Sequence, residues 1–240
     1  MPRKTLRDAS GAANHPAATT RTTQPAFTRA ERNLIDRLPT PAAVQRYLNE
    51  LPYNNEPHGA TLRSFRSVVR HGAAHCLEAA LAAAVILEHH GYPPLVLSFE
   101  SIDRLDHVIF VYRTAAGWGS IARSRDPGLH GRKPVFRTPR SLALSYVDPY
   151  VDFTGRVTAY AVVDLRDAIG AYDWRLSNRN VWKVERVLLD WPHRPIRTSN
   201  RRIAALRKRY RAHMREHDGR KPVYYKRRDR WMPLPTEFKY

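Results

Sequence analysis

Cysteine is almost absent from this chain: Cys76 is the only one in 240 residues. An intrachain disulfide is excluded, and nothing points to an oxidising compartment. Long apolar runs are also missing. The longest, Ala79 to Leu87, has nine residues, about half of what a membrane-spanning helix needs, so no membrane association is expected. Met1-Pro2-Arg3-Lys4 is charged but leads into no apolar leader segment, and a cytoplasmic protein is the expectation. Carboxylates are few, 22 against 41 basic residues, and scattered, which argues against a paired-carboxylate glycosidase. There is no Gly-rich phosphate loop, no nucleophile-elbow serine motif and no internal repeat, and no cofactor is expected.

What is abundant is positive charge, a net +19. Residues 196–240 hold 15 Lys/Arg and 4 Asp/Glu, hence +11, and the first 195 residues share the remaining +8. Arg207-Lys208-Arg209-Tyr210-Arg211 and Tyr224-Tyr225-Lys226-Arg227-Arg228 interleave cations with aromatics, a pattern that grips phosphates and stacks on bases. Against that, 34 of the 41 basic residues are Arg. With abundant Ala and Pro, this is the residue usage of a GC-rich genome, which raises Arg without selecting for a polyanion. Ile203, Leu206 and Tyr210 also have the spacing of a helix face packed on a domain. Nucleic-acid binding is therefore the alternative, not the leading reading.

The chain divides into three stretches. Residues 1–26 hold almost no large apolar side chain and are expected to be disordered. Residues 27–195 carry the domain, and 196–240 form a basic extension, docked in part through Tyr224-Tyr225 and Trp231. Within the domain, Thr28 and Thr40-Pro41 are helix starts, and Thr61–Val69 is read as a further helix. Leu95–Phe99, His107–Arg113 and Trp118–Ser124 read as strands, the last two a hairpin around Ala115-Ala116-Gly117. Arg125–Lys133 reads as a loop, Thr138-Pro139 opens a helix, Val157–Asp164 is a strand and Val181–Trp191 a helix. Ser199 caps a basic helix running to His217. Helices followed by adjacent antiparallel strands make an α+β fold.

The organising stretch runs from His75 to Gly91. Ala and Leu, the best helix formers, fill its centre, and His89-His90-Gly91 supplies a helix stop. Cys76 falls in the first turn of a helix buried nearly all round. The positive end of the helix dipole favours its thiolate, which is the nucleophilic form. A lone cysteine is also a common small core hydrophobe. The order of Cys76 on a helix start and His107 at the head of an apolar strand favours a Cys/His acyl-transfer site.

Ala74-His75-Cys76-Leu77-Glu78-Ala79-Ala80, Gly91-Tyr92-Pro93-Pro94, Leu105-Asp106-His107-Val108 and Gly117-Trp118-Gly119-Ser120 together resemble the transglutaminase-like branch of the papain-like cysteine superfamily. The resemblance covers about Thr40 to Tyr150. It implies a central helix carrying the cysteine, packed on an antiparallel sheet carrying the histidine. It also implies a Cys76 nucleophile, a His107 proton shuttle, a protein or peptide substrate, and a third polar residue that orients the imidazole. The family usually places an aspartate after the hairpin tryptophan. Here Ser120, Ala122 and Ser124 alternate instead, so Ser124 and the nearby Asp126 are the candidates for that role. Members that keep the fold and lose the chemistry make a non-catalytic interaction scaffold the second reading.

Metal binding finds less support. His71, His75, Cys76 and His107 supply zinc-type donors, but Gly72 interrupts the first pair, and adjacent His75 and Cys76 point different ways. His213 and His217 lie among arginines that repel a cation. No metal site is expected.

Overall fold

The computed structural model describes residues 26–102, 104–152, 155–217 and 231–240. Residues 1–25 and the Pro222–Tyr225 stretch, for which disorder and docking are expected, lie outside the described residues. Four helices come first: α1 (Arg29–Arg37), α2 (Pro41–Glu50), α3 (Phe65–His71) and α4 (Cys76–Glu88). Thr28, Thr40 and Ser64 cap the first three by accepting backbone N–H bonds at the N3 position. The third helix starts later than Thr61: residues 61–64 lie outside any helix, and the extended Ser64 holds the cap.

Strands β1 (Leu95–Ser101), β2 (Arg104–Thr114), β3 (Gly117–Ile121) and β4 (Arg132–Phe136) follow. Two short helices come next, α5 (Pro139–Leu144) and α6 (Val147–Tyr150). The chain continues through β5 (Ala159–Asp164), α7 (Leu165–Ile169), α8 (Trp182–Asp190), β6 (Arg194–Pro195) and α9 (Asn200–Arg215). The six strands form one antiparallel sheet in the order β4-β3-β2-β1-β5-β6. The α+β expectation holds. The edge strands β4 and β6 are additions to the sequence reading: Pro134 and the polar Arg132-Lys133 disguise the first, and the second is only two residues long.

Both faces of the sheet are buried, and the strand alternation sorts them. Val96, Val108, Phe110, Tyr112, Ile121, Ala161 and Val163 face the helical layer that holds α4. Leu97, Phe99, Ile109, Val111 and Tyr160 face Leu142, Ala143, Tyr146 and Val147 of the α5–α6 segment. Every residue from Leu77 to Leu87 is buried, so α4 is a central helix without a polar face. Small alanines let it lie close against β2 while Leu81, Val85 and Ile86 fill the gaps. Burial of apolar surface stabilises by about 25 cal/mol per Å², so a helix apolar on every side stabilises the fold through all of its faces.

Among the described residues, no helix is long and apolar enough to cross a membrane. The described part of the extension returns to the protein: Trp231 is buried against Tyr210, with ring centroids 5.0 Å apart, and near His213.

Candidate active site

The entry to α4 is built by a short stretch laid beside it. Tyr53 and Ala74 form a parallel bridge, with the Asn54 N–H donating to the Ala74 carbonyl and the Ala74 N–H to the Pro52 carbonyl. His75 is the N-cap, extended at φ −89° and ψ −177°. Its N–H donates to Glu78 Oε2 at 3.0 Å, which places Cys76 at the first helical position, where N–H groups lack intrahelical acceptors.

Glu78 organises this corner. Its side chain is fully buried, yet both oxygens are saturated. Oε1 accepts from Thr61 Oγ1 (2.8 Å) and the Arg63 N–H (2.9 Å), and Oε2 from Asn54 Nδ2 (3.0 Å) and the His75 N–H. Burial pushes its carboxyl up, but the His75 charge and these hydrogen bonds hold it below the ordinary carboxylate range. The sequence reading assigns Glu78 no role. The available signal is the Glu three residues after a cap position, the second half of a capping box.

Two imidazoles meet the Cys76 sulfur. His107, buried near the start of β2, donates from Nε2 to the Leu129 carbonyl at 3.2 Å. That bond assigns the tautomer and leaves Nδ1 for the thiol. Phe99, the cross-strand partner of His107, stacks on the ring at 6.1 Å and 11°, and Tyr146 lies 5.9 Å away. His75 turns its Nε2 to the Thr61 carbonyl at 3.0 Å, 3.5 Å from Glu78 Oε1 and 4.0 Å from Glu56 Oε1. Burial pushes the Cys76 thiol up, but hydrogen bonds from His107 and His75, with their charge, bring it well below the ordinary thiol value. Burial also pushes His75 down, but its bond to Cys76, the thiolate charge and Glu78 raise it to about 9. Cys76 as a residue keeps partial solvent exposure.

Ser124 and Asp126 sit in the turn that presents the Leu129 carbonyl. β3 ends at Ile121, so the expected alternation of Ser120, Ala122 and Ser124 along one strand face stops before Ser124. Ser124 Oγ accepts from the Asp126 N–H at 3.1 Å, and the Asp126 carbonyl accepts from the Leu129 N–H at 2.9 Å. Arg132 braces the turn from below: its guanidinium donates to the carbonyls of Gly128 (2.8 Å), His130 and Ser145 (3.1 Å) and lies 3.4 Å from the Tyr146 ring centroid. Leu129 acts through its backbone, and no residue type in the sequence advertises that.

Tyr53 stands beside the sulfur, between the guanidiniums of Arg123 (5.9 Å) and Arg125 (5.8 Å). Burial raises its phenol well above the ordinary value, and the thiolate charge adds to the effect. His71, a donor in the metal alternative, bonds the Ser67 carbonyl through Nδ1 at 2.7 Å. Among the described residues, no group of three or more His, Cys, Asp or Glu side chains is placed to hold a metal ion. No protein-family model and no curated protein matches this chain.

Proposed function

We propose that this protein is a cysteine-dependent acyl-transfer or amide-hydrolysing enzyme with a transglutaminase-like core, acting on a protein or peptide substrate. The observation that carries the reading is the Cys76 thiol at the start of a 13-residue helix, flanked by His107 and His75 and driven toward thiolate. The thiolate attacks the substrate carbonyl. The developing oxyanion is stabilised by the unpaired N–H groups at the α4 start. His107 gives its proton to the departing amine as the C–N bond breaks and a thioester forms. It then takes a proton from water or an acceptor amine, whose attack releases Cys76. The Leu129 carbonyl holds the ring in register through both steps.

The test is acylation by p-nitrophenyl acetate, followed by mass mapping. An acyl group should appear on Cys76, vanish in Cys76→Ala and form far more slowly in His107→Ala. A folded wild type that takes up no acyl group, and whose Cys76 resists iodoacetamide at every pH, would instead mean an inert core cysteine and an interaction scaffold.

A second reading rests on a different place. A groove of about 550 Å³ between α9 and the β1–β2 turn is lined by Ile102, Ile203, Arg156, Arg207 and Arg211, and its arginines suit a polyanion.

A further inference from the structure

We propose that His75 is a second imidazole of the active site with its own duty: it stays cationic as a fixed counter-charge to the Cys76 thiolate, while His107 alone exchanges protons with the substrate. This rests on the reading of Cys76 as a nucleophile and adds a division of labour that a single Cys/His pair does not have.

The two rings have different neighbours. His75 Nε2 faces three oxygens, the Thr61 carbonyl at 3.0 Å, Glu78 Oε1 at 3.5 Å and Glu56 Oε1 at 4.0 Å. Two of these belong to carboxylates, so the proton on this ring is held by negative charge. His107 Nε2 faces the uncharged Leu129 carbonyl in a setting of Phe99 and Tyr146. The titratable and charged groups around His75 are Glu56 from the entry loop, Cys76 and Glu78 from α4, and Arg63 behind Glu78, 3.9 Å from Oε1. Tyr53 and His107 stand across the sulfur.

The corner is also built at some conformational cost. Glu56 is the one non-glycine residue with positive φ (54°) among the described residues. In that conformation its Oε1 accepts the Thr61 N–H at 2.7 Å while standing near the His75 ring. Strain of this kind persists where surrounding contacts over-determine it, and it clusters at functional sites. His75 thus stands between two anionic groups, the Glu78 carboxylate and the Cys76 sulfur. His75 keeps its proton while His107 gives one up and takes one back, so the sulfur meets a cation both as the resting thiolate and when deacylation releases it.

Nuclear magnetic resonance of the full chain labelled with ¹⁵N-histidine tests this without a mutation that might unfold it. The His75 ring, assigned by its loss in His75→Gln, should show both nitrogens protonated at pH 7 and titrate near 9. In Cys76→Ser that titration should move down. Iodoacetamide alkylation at about pH 6 should slow at least about tenfold in His75→Gln, while Glu56→Gln gives a smaller slowing in the same direction. A His75 ring that is neutral at pH 7, or alkylation unchanged in His75→Gln, overturns the assignment. Failure of the nucleophile reading is separate, since it shows as absence of acyl-Cys76 in the wild type whatever the state of His75.

Discussion

The imidazole of His107 is held by the backbone of Leu129, Nε2 to carbonyl oxygen at 3.2 Å. A carbonyl fixes the ring's orientation and tautomer as a side-chain orienter would, without a charge to stabilise the imidazolium. Glu78, acting through His75, brings negative charge to the other side of the sulfur. The turn around Leu129 and the α4 entry around Glu78 are thus the two supports of the site, and each gives separate expectations.

Glu78→Gln should destabilise the protein by about 2–4 kcal/mol, because one of its two oxygens becomes an amide nitrogen facing buried donors. Urea unfolding at pH 7 measures this. Asn54 and Thr61 also lose a charged acceptor, so the Cys76 alkylation rate should fall in the same variant. A variant as stable as wild type would mean that the Glu78 charge does not hold the corner together.

Gly128→Ala should loosen the turn that carries Leu129. An added Cβ would sit 2.1 Å from the Met232 carbonyl oxygen and 3.1 Å from Pro149 Cβ. Relief requires the turn or the C-terminal segment to move, at a cost of about 1–3 kcal/mol. Acyl transfer should drop further than alkylation, since His107 loses its orientation while His75 stays in place. Equal losses in both assays would argue against that separation.

Stability should be flat around neutral pH and fall on both sides. The raised His75 contributes stability that is complete below its unfolded value of about 6.5 and is lost as pH rises through about 9. The lowered Cys76 contributes stability that is complete above its unfolded value of about 8.5 and is lost as pH falls through its folded value. Between about 6.5 and 8.5 the two slopes cancel, because folding moves a proton from sulfur to imidazole without changing the number bound. Below about 4.3 the lowered Glu78 adds a second acid loss. Chemical denaturation across pH should show the plateau in wild type, and in Cys76→Ser the plateau should be lost, with the alkaline decline starting near about 6.5 because no thiol offsets His75.

Arg207→Glu with Arg211→Glu should weaken heparin retention and reduce its salt dependence, if the groove beside α9 holds a polyanion. Both residues line the groove on the same side of α9 as Ile203, and the Arg207 Nε is buried, so a thermal melt of the double variant is the control that separates lost binding from lost packing. Retention equal to wild type would mark the +19 charge as a general compositional property.

The sequence alone determined the elements whose causes are local. Thr28, Thr40-Pro41, Thr138-Pro139 and Ser199 each announce a helix start, because a capping oxygen or an N1 proline acts within one turn. The apolar run from Ala79 to Leu87 marked a central buried helix and put Cys76 in its first turn. The unbroken apolar run Val108–Tyr112 marked a buried strand with His107 near its start.

What only the tertiary structure decided are relations between distant stretches. Ser124 left its expected strand because β3 pairs with β4 only through Ser120, and the chain then turns. The His107 partner proved to be a carbonyl, a group every residue possesses, so no residue type could mark it. Glu78 gained meaning once Asn54, Thr61 and Arg63 came to surround it. The carboxylates that face His75 reach it from Glu56, nineteen positions earlier, and Glu78, three positions later. Electrostatic fields are set by distance in space and by desolvation, and neither is written in the order of residues along the chain.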